Sequence, residues 1–88
     1  MKVKNGFILR KMNGMGVVAP VGDASEEFHG MVTLNETGIF LWELMQQEIT
    51  SGQLVNALME EYNVEQEAAA RDVEGFLRKA REAGIVQD

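Results

Sequence analysis

At Asn35 this chain changes character within a single residue. Before it, Gly30-Met31-Val32-Thr33-Leu34 is short, glycine-led and β-prone. After it, Glu36-Thr37-Gly38-Ile39-Phe40-Leu41-Trp42-Glu43-Leu44-Met45 is apolar almost all round. A strand that feeds straight into a helix with almost no polar face leaves few architectures open, because that helix must sit at the centre of its domain. Asn35 is a good N-cap, and Leu34 is spaced to staple onto Ile39. The helix is expected to run from Glu36 to about Gln47.

The residues upstream of Asn35 read as strands separated by glycines. Phe7–Met12 and Met15–Val21 flank Asn13-Gly14, the strongest two-residue hairpin signal. Pro20 ends the second run or marks an edge. Gly22–Glu27 is a loop by composition, and Phe28–Leu34 is a third strand. Downstream the period is helical. Thr50-Ser51-Gly52-Gln53 is a capping box that opens a helix with Leu54, Val55, Leu58, Met59 and Tyr62 on one stripe. Asn63-Val64-Glu65-Gln66 reads as a second capping box, followed by a stripe of Ala69, Val73, Phe76, Leu77 and Ala80. Gly84 is placed as the C′ residue of that helix, with Ile85 and Val86 folding back. Gly75 in its middle costs about 1 kcal/mol against alanine, and close approach of another chain is one reason to keep it.

The reading is an α+β fold: a winged helix-turn-helix, with a three-stranded antiparallel sheet followed by three helices. Eighty-eight residues make one domain, with residues 1–34 as the β-meander and 35–88 as the three-helix part. A chain of this size buries only about 60 to 65 % of its unfolded surface, so the core is thin. There is no cysteine for a disulfide or a thiolate metal site. The N-terminus is too polar for a signal peptide, and no apolar run approaches the roughly 20 residues of a membrane span. A soluble, cytoplasmic, free-standing protein is expected.

Charge is placed unevenly within the net −6. Residues 1–35 hold four basic side chains against three acids, and residues 36–88 hold four against eleven. A helical half this acidic repels phosphate backbones, so nucleic acid is not the expected partner.

Catalytic groups are missing from the pattern. His29 is the lone histidine, and no HxxH, HExxH or cysteine cluster accompanies it as a metal ligand set. Ser25 and Ser51 read as loop and cap residues without a His/Asp pair to activate them. The glycines match neither G-x-G-x-x-G nor a P-loop. Phe40 and Trp42 read as core. The chain is therefore read as non-catalytic, with no catalytic residue, metal or cofactor.

Recognition remains. A three-stranded meander has two edges, and each presents unpaired N–H and C=O groups to an extended peptide. Between His29 and Asn35 the third strand carries none of the charge, proline or bulge that usually blunts an edge. Two readings stand at this point: a docking edge for a guest strand, or a strand in mid-sheet or at a short, harmless edge.

The chain resembles the PqqD-like proteins, peptide chaperones that carry the recognition element of pathways making ribosomally synthesised, post-translationally modified peptides. The resemblance rests on Phe7-Ile8-Leu9-Arg10, Val17-Val18, Pro20-Val21-Gly22, and Gly30-Met31-Val32-Thr33-Leu34-Asn35-Glu36-Thr37-Gly38 leading into Leu41-Trp42-Glu43-Leu44. Leu54-Val55, Leu58, Glu61-Tyr62-Asn63-Val64, Asp72-Val73 and Phe76-Leu77 extend it through the helical half.

The resemblance implies that the protein binds the leader of a precursor peptide as an added antiparallel strand and presents it to a radical S-adenosylmethionine maturase, holding no cofactor itself. By position it implies a docking strand of His29, Gly30, Met31, Val32, Thr33 and Leu34, facing Val73, Phe76, Leu77 and Ala80. Arg71, Arg78 and Arg81 would then meet acids on a leader, with solvated charge as the default. The alternatives are a winged-helix nucleic-acid-binding regulator and a structural dimerisation module, a homodimer formed through the third strand.

Overall fold

The computed structural model describes residues 1–22 and 32–87. In chain order these form β1 (Lys2–Val3), β2 (Phe7–Met12), β3 (Met15–Pro20), β4 (Val32–Leu34), α1 (Glu36–Leu44), α2 (Ser51–Tyr62), α3 (Gln66–Glu82) and β5 (Val86–Gln87). The loop reading from Asp23 onward, and the start of the third strand through Met31, lie outside the described residues.

The hairpin forms where the sequence places it. Asn13 and Gly14 take φ of 51° and 79°, the left-handed pair that matches a two-residue turn to strand twist. Met12 pairs with Met15 and the ladder runs back to Phe7 against Pro20. The sheet order is β2-β3-β4, so among the described residues β4 is an edge that pairs only with β3. Among the described residues the third strand is therefore at the edge of the sheet and not in its middle.

One face of this sheet is buried, with Val18 and Leu34 in the core, while Ile8 and Met15 point outward. α1 lies close over the buried face because Gly16 has no side chain. A Cβ there would fall 2.7 Å from Leu9 Cδ1 and 2.8 Å from Ile39 Cγ1.

Helix α1 is central, as its apolar surround requires. Leu41, Trp42 and Met45 are buried, and Phe40 meets Tyr62 of α2 edge to face at 5.6 Å. Its start is fixed by Asn35, whose Oδ1 accepts from the Gly38 N–H at 2.9 Å. Its end comes earlier than the expected Gln47, and β1 supplies the reason. Val3 N–H donates to the Met45 carbonyl, and Ile49 N–H donates to the Met1 carbonyl. A helix continued through this stretch would have paired Ile49 N–H with Met45 C=O; Val3 of β1 takes the carbonyl and Met1, just before β1, takes the N–H.

Strands β1 and β5 are absent from the three-strand reading. They form a separate antiparallel pair, Lys2 with Gln87 and Val3 with Val86, which ties the two ends of the described chain together.

The Thr50 capping box forms, with reciprocal bonds of 3.1 and 2.9 Å between Thr50 and Gln53. The second expected box does not. Asn63 is instead the left-handed C-cap of α2 (φ 51°, ψ 46°), and the N-cap of α3 is Glu65, without a side-chain bond. Asparagine tolerates the left-handed region, so the need to end α2 takes this residue before α3 can use it. Helix α3 closes as expected on Gly84 (φ 76°). Gly84 N–H donates to the Arg81 carbonyl and Ile85 N–H to the Ala80 carbonyl, a Schellman pair that folds buried Ile85 back onto the helix end.

Candidate functional site

Among the described residues, one groove beside α3 has a strand edge for a wall and another has helices on both sides. The first, about 430 Å³, runs between β4 and α3. Thr33 and Leu34 form the strand side, Asn35, Thr37, Gly38 and Leu41 close it at the start of α1, and Met15 comes in from the hairpin. The helix side is Arg71, Asp72, Gly75, Phe76 and Lys79.

The backbone of β4 decides what this groove can bind. The ladder pairs Gly16 with Leu34, Val17 with Thr33 and Val18 with Val32. The Thr33 carbonyl accepts from Lys79 Nζ at 2.6 Å, so it points away from β3. In an antiparallel ladder a residue's N–H and C=O point the same way and alternate along the strand. The Thr33 N–H therefore also faces outward, while Val32 and Leu34 turn their polar groups to β3. An antiparallel guest strand can exchange two hydrogen bonds with Thr33 without disturbing the existing sheet.

Opposite that edge, α3 offers space. A Cβ added at Gly75 would meet nothing within 4 Å among the described residues, so the glycine leaves an open stretch of helix wall between Arg71 and Lys79, one turn to either side. Phe76 is 8 % exposed and gives the groove an apolar floor. Among the described residues no group of three or more His, Cys, Asp and Glu side chains is placed to hold a metal ion. No helix among them is long and apolar enough to cross a membrane.

The residues anticipated for docking divide into three groups. Val32, Thr33 and Leu34 form the edge strand, with Thr33 and Leu34 on the groove. His29, Gly30 and Met31 lie outside the described residues. On α3, Phe76 reaches the groove, whereas Val73, Leu77 and Ala80 are buried in the core at 2 to 4 % exposure. Val73 and Leu77 border the second groove, about 310 Å³, between α2 and α3. The wall that faces β4 also includes Arg71, Asp72, Gly75 and Lys79. Of these the sequence marks Arg71 and Gly75 as candidates and Asp72 only as part of the family resemblance; Lys79 carries no binding signal beyond standing at helical spacing from Gly75.

The family model for coenzyme PQQ synthesis protein D (PqqD) matches residues 17–86. The chain belongs to the PqqD family. The matched span runs from β3 to β5 and contains both walls of the groove. The fold is also that of a solved structure, TbiB1 in complex with the TbiA(beta) leader peptide, at a TM-score of 0.75 and 20 % identity over 100 % of both chains. Among curated proteins no sequence relative matches. PqqD-like recognition elements are generally non-catalytic.

Proposed function

We propose that this protein is a non-catalytic module that captures the leader region of a ribosomally made precursor peptide as an added strand on β4. The observation that carries the reading is the outward-facing Thr33 backbone set across an open groove from Gly75 and Phe76. Strand addition draws affinity from main-chain hydrogen bonds and specificity from pockets for alternate side chains. The backbone at Thr33 supplies the first and the β4–α3 groove the second. Membership of the PqqD family supports the same reading, as does a structural neighbour whose solved complex contains a leader peptide.

The contact set for the guest is Val32, Thr33 and Leu34 with Phe76 and Gly75; His29, Gly30 and Met31, which lie outside the described residues, are included on the family resemblance. Val73, Leu77 and Ala80 act from behind, packing α3 so that the groove keeps its width. The complex is then handed to a radical S-adenosylmethionine maturase in the cytoplasm, a step supported by the family resemblance. The guest loses chain entropy on ordering, so a micromolar Kd, about −8 kcal/mol, is expected. Modest affinity suits a carrier that must release its cargo.

The test is calorimetric titration with the leader half of short precursor peptides encoded beside the gene. Saturable binding near micromolar, lost with Thr33→Pro, supports the reading. Binding unaffected by Thr33→Pro contradicts it. Co-purification of a maturase only when leader is present tests the hand-over.

A further inference from the structure

Lys79 stands one turn beyond Gly75 on α3, and its ammonium crosses the groove to the Thr33 carbonyl at 2.6 Å. That carbonyl is the acceptor a guest strand needs. Natural edges are often guarded by lysine, usually one on the edge itself. Here the guard comes from a helix 46 residues further along the chain. Both partners are exposed, and the lysine stem is flexible, so the bond is one that an incoming strand can displace.

Once displaced, the ammonium lies against the guest. The two ends of the wall then differ in charge. Arg71 has Asp72 next to it in the chain, whereas among the described residues Lys79 is the lone charged side chain lining the groove on its side of Gly75. Resting on the leader-binding reading, we propose that Lys79 is a specificity-determining residue of this edge. It caps Thr33 in the free protein and pairs with a carboxylate on the docked strand, so acidic peptides bind ahead of neutral ones and basic ones bind more weakly still. An exposed pair of this kind is worth about a two- to fivefold change in Kd for each charge altered.

The test uses a yeast-displayed library of random 12-residue peptides, sorted separately on the wild-type protein, Lys79→Ala, Lys79→Glu and Thr33→Pro. Because Lys79 is exposed, its variants should keep the wild-type melting temperature. The expected result is Asp or Glu enriched at one fixed position in the wild-type pool, no charge preference there with Lys79→Ala, and Lys or Arg in its place with Lys79→Glu. If wild-type and Lys79→Glu pools share one charge profile while Thr33→Pro binds neither, the role of Lys79 is overturned and docking on β4 stands. If Thr33→Pro binds the wild-type pool equally well, or no pool enriches, docking on this edge fails and the inference fails with it.

Discussion

The two grooves beside α3 are similar in size and different in substance. Between α2 and α3, about 310 Å³ is lined by Ser51 and Val55 on one side and by Ala70, Val73, Glu74, Leu77 and Arg81 on the other. Both walls are helices, whose backbone groups are spent on their own turns apart from the first N–H groups of α2 at Ser51. A guest there has no strand edge to pair with and must be held mostly by side chains. Between β4 and α3, one wall is a strand edge with an N–H and a C=O facing out at Thr33. That wall can hold an extended peptide whatever its side chains are. For a carrier that must accept a peptide before its residues are modified, the second kind of wall is the useful one.

The contrast can be broken most forcefully from the structural side. Leu77→Ala removes a buried side chain from the α2–α3 contact and should cost about 2 to 5 kcal/mol in a denaturant melt. Leader affinity of the molecules still folded should hold within about twofold. An affinity loss as large as the stability loss would mean that the two grooves are one site.

Two proline variants sharpen the role of the edge. Thr33→Pro removes an N–H that faces the guest and should weaken leader binding at least tenfold, roughly 1.4 kcal/mol or more, with little change in melting temperature. Val32→Pro removes an N–H that serves β3, so it should unfold the sheet edge instead. Equal melting temperatures for the two variants would show that the alternation along β4 has been assigned the wrong way round.

Gly75 yields a pair of opposite signs. Gly75→Leu replaces a poor helix former where nothing among the described residues stands within 4 Å of the new Cβ. It should raise stability by about 1 kcal/mol while filling the groove and weakening the leader about tenfold. A stabilised protein with unchanged affinity would remove the groove from the account. The smallest effect is expected at Asn35→Ala, which loses the bond from Gly38 N–H and about 1 kcal/mol of stability. Its affinity should fall least of all, since Asn35 lies at the closed end of the groove with its side chain turned to the Gly38 N–H.

The fold was largely legible because its signals are local. Asn13-Gly14 dictates a turn of one hand, Asn35 and Thr50 each reach a backbone N–H three residues away, and Gly84 supplies the left-handed stop. Where two local signals compete, reading failed. Asn63 can cap a helix start or end one, and only the packing of α2 against α3 decides it. The two-residue strands β1 and β5 are too short to show a period, and they pair across nearly the whole chain.

The candidate groove was legible on its strand side. The apolar stripe of α3 reports what is buried, so it led to Val73, Leu77 and Ala80, which are core. A groove wall is made of what is not buried. Asp72 and Lys79 look like ordinary solvated positions until the fold brings β4 opposite them. The edge read as unguarded because its guard, Lys79, belongs to another element and meets Thr33 only in the folded protein.

The central claim is that an extended leader adds to β4 opposite Gly75. Backbone amide shifts recorded while leader is titrated into labelled protein test it most directly. The account predicts that Thr33 and Leu34 move together with Gly75, Phe76 and Lys79, while Ser51 and Val55 stay in place. Shifts centred on Ser51, Val55 and Glu74, with Thr33 silent, would contradict it.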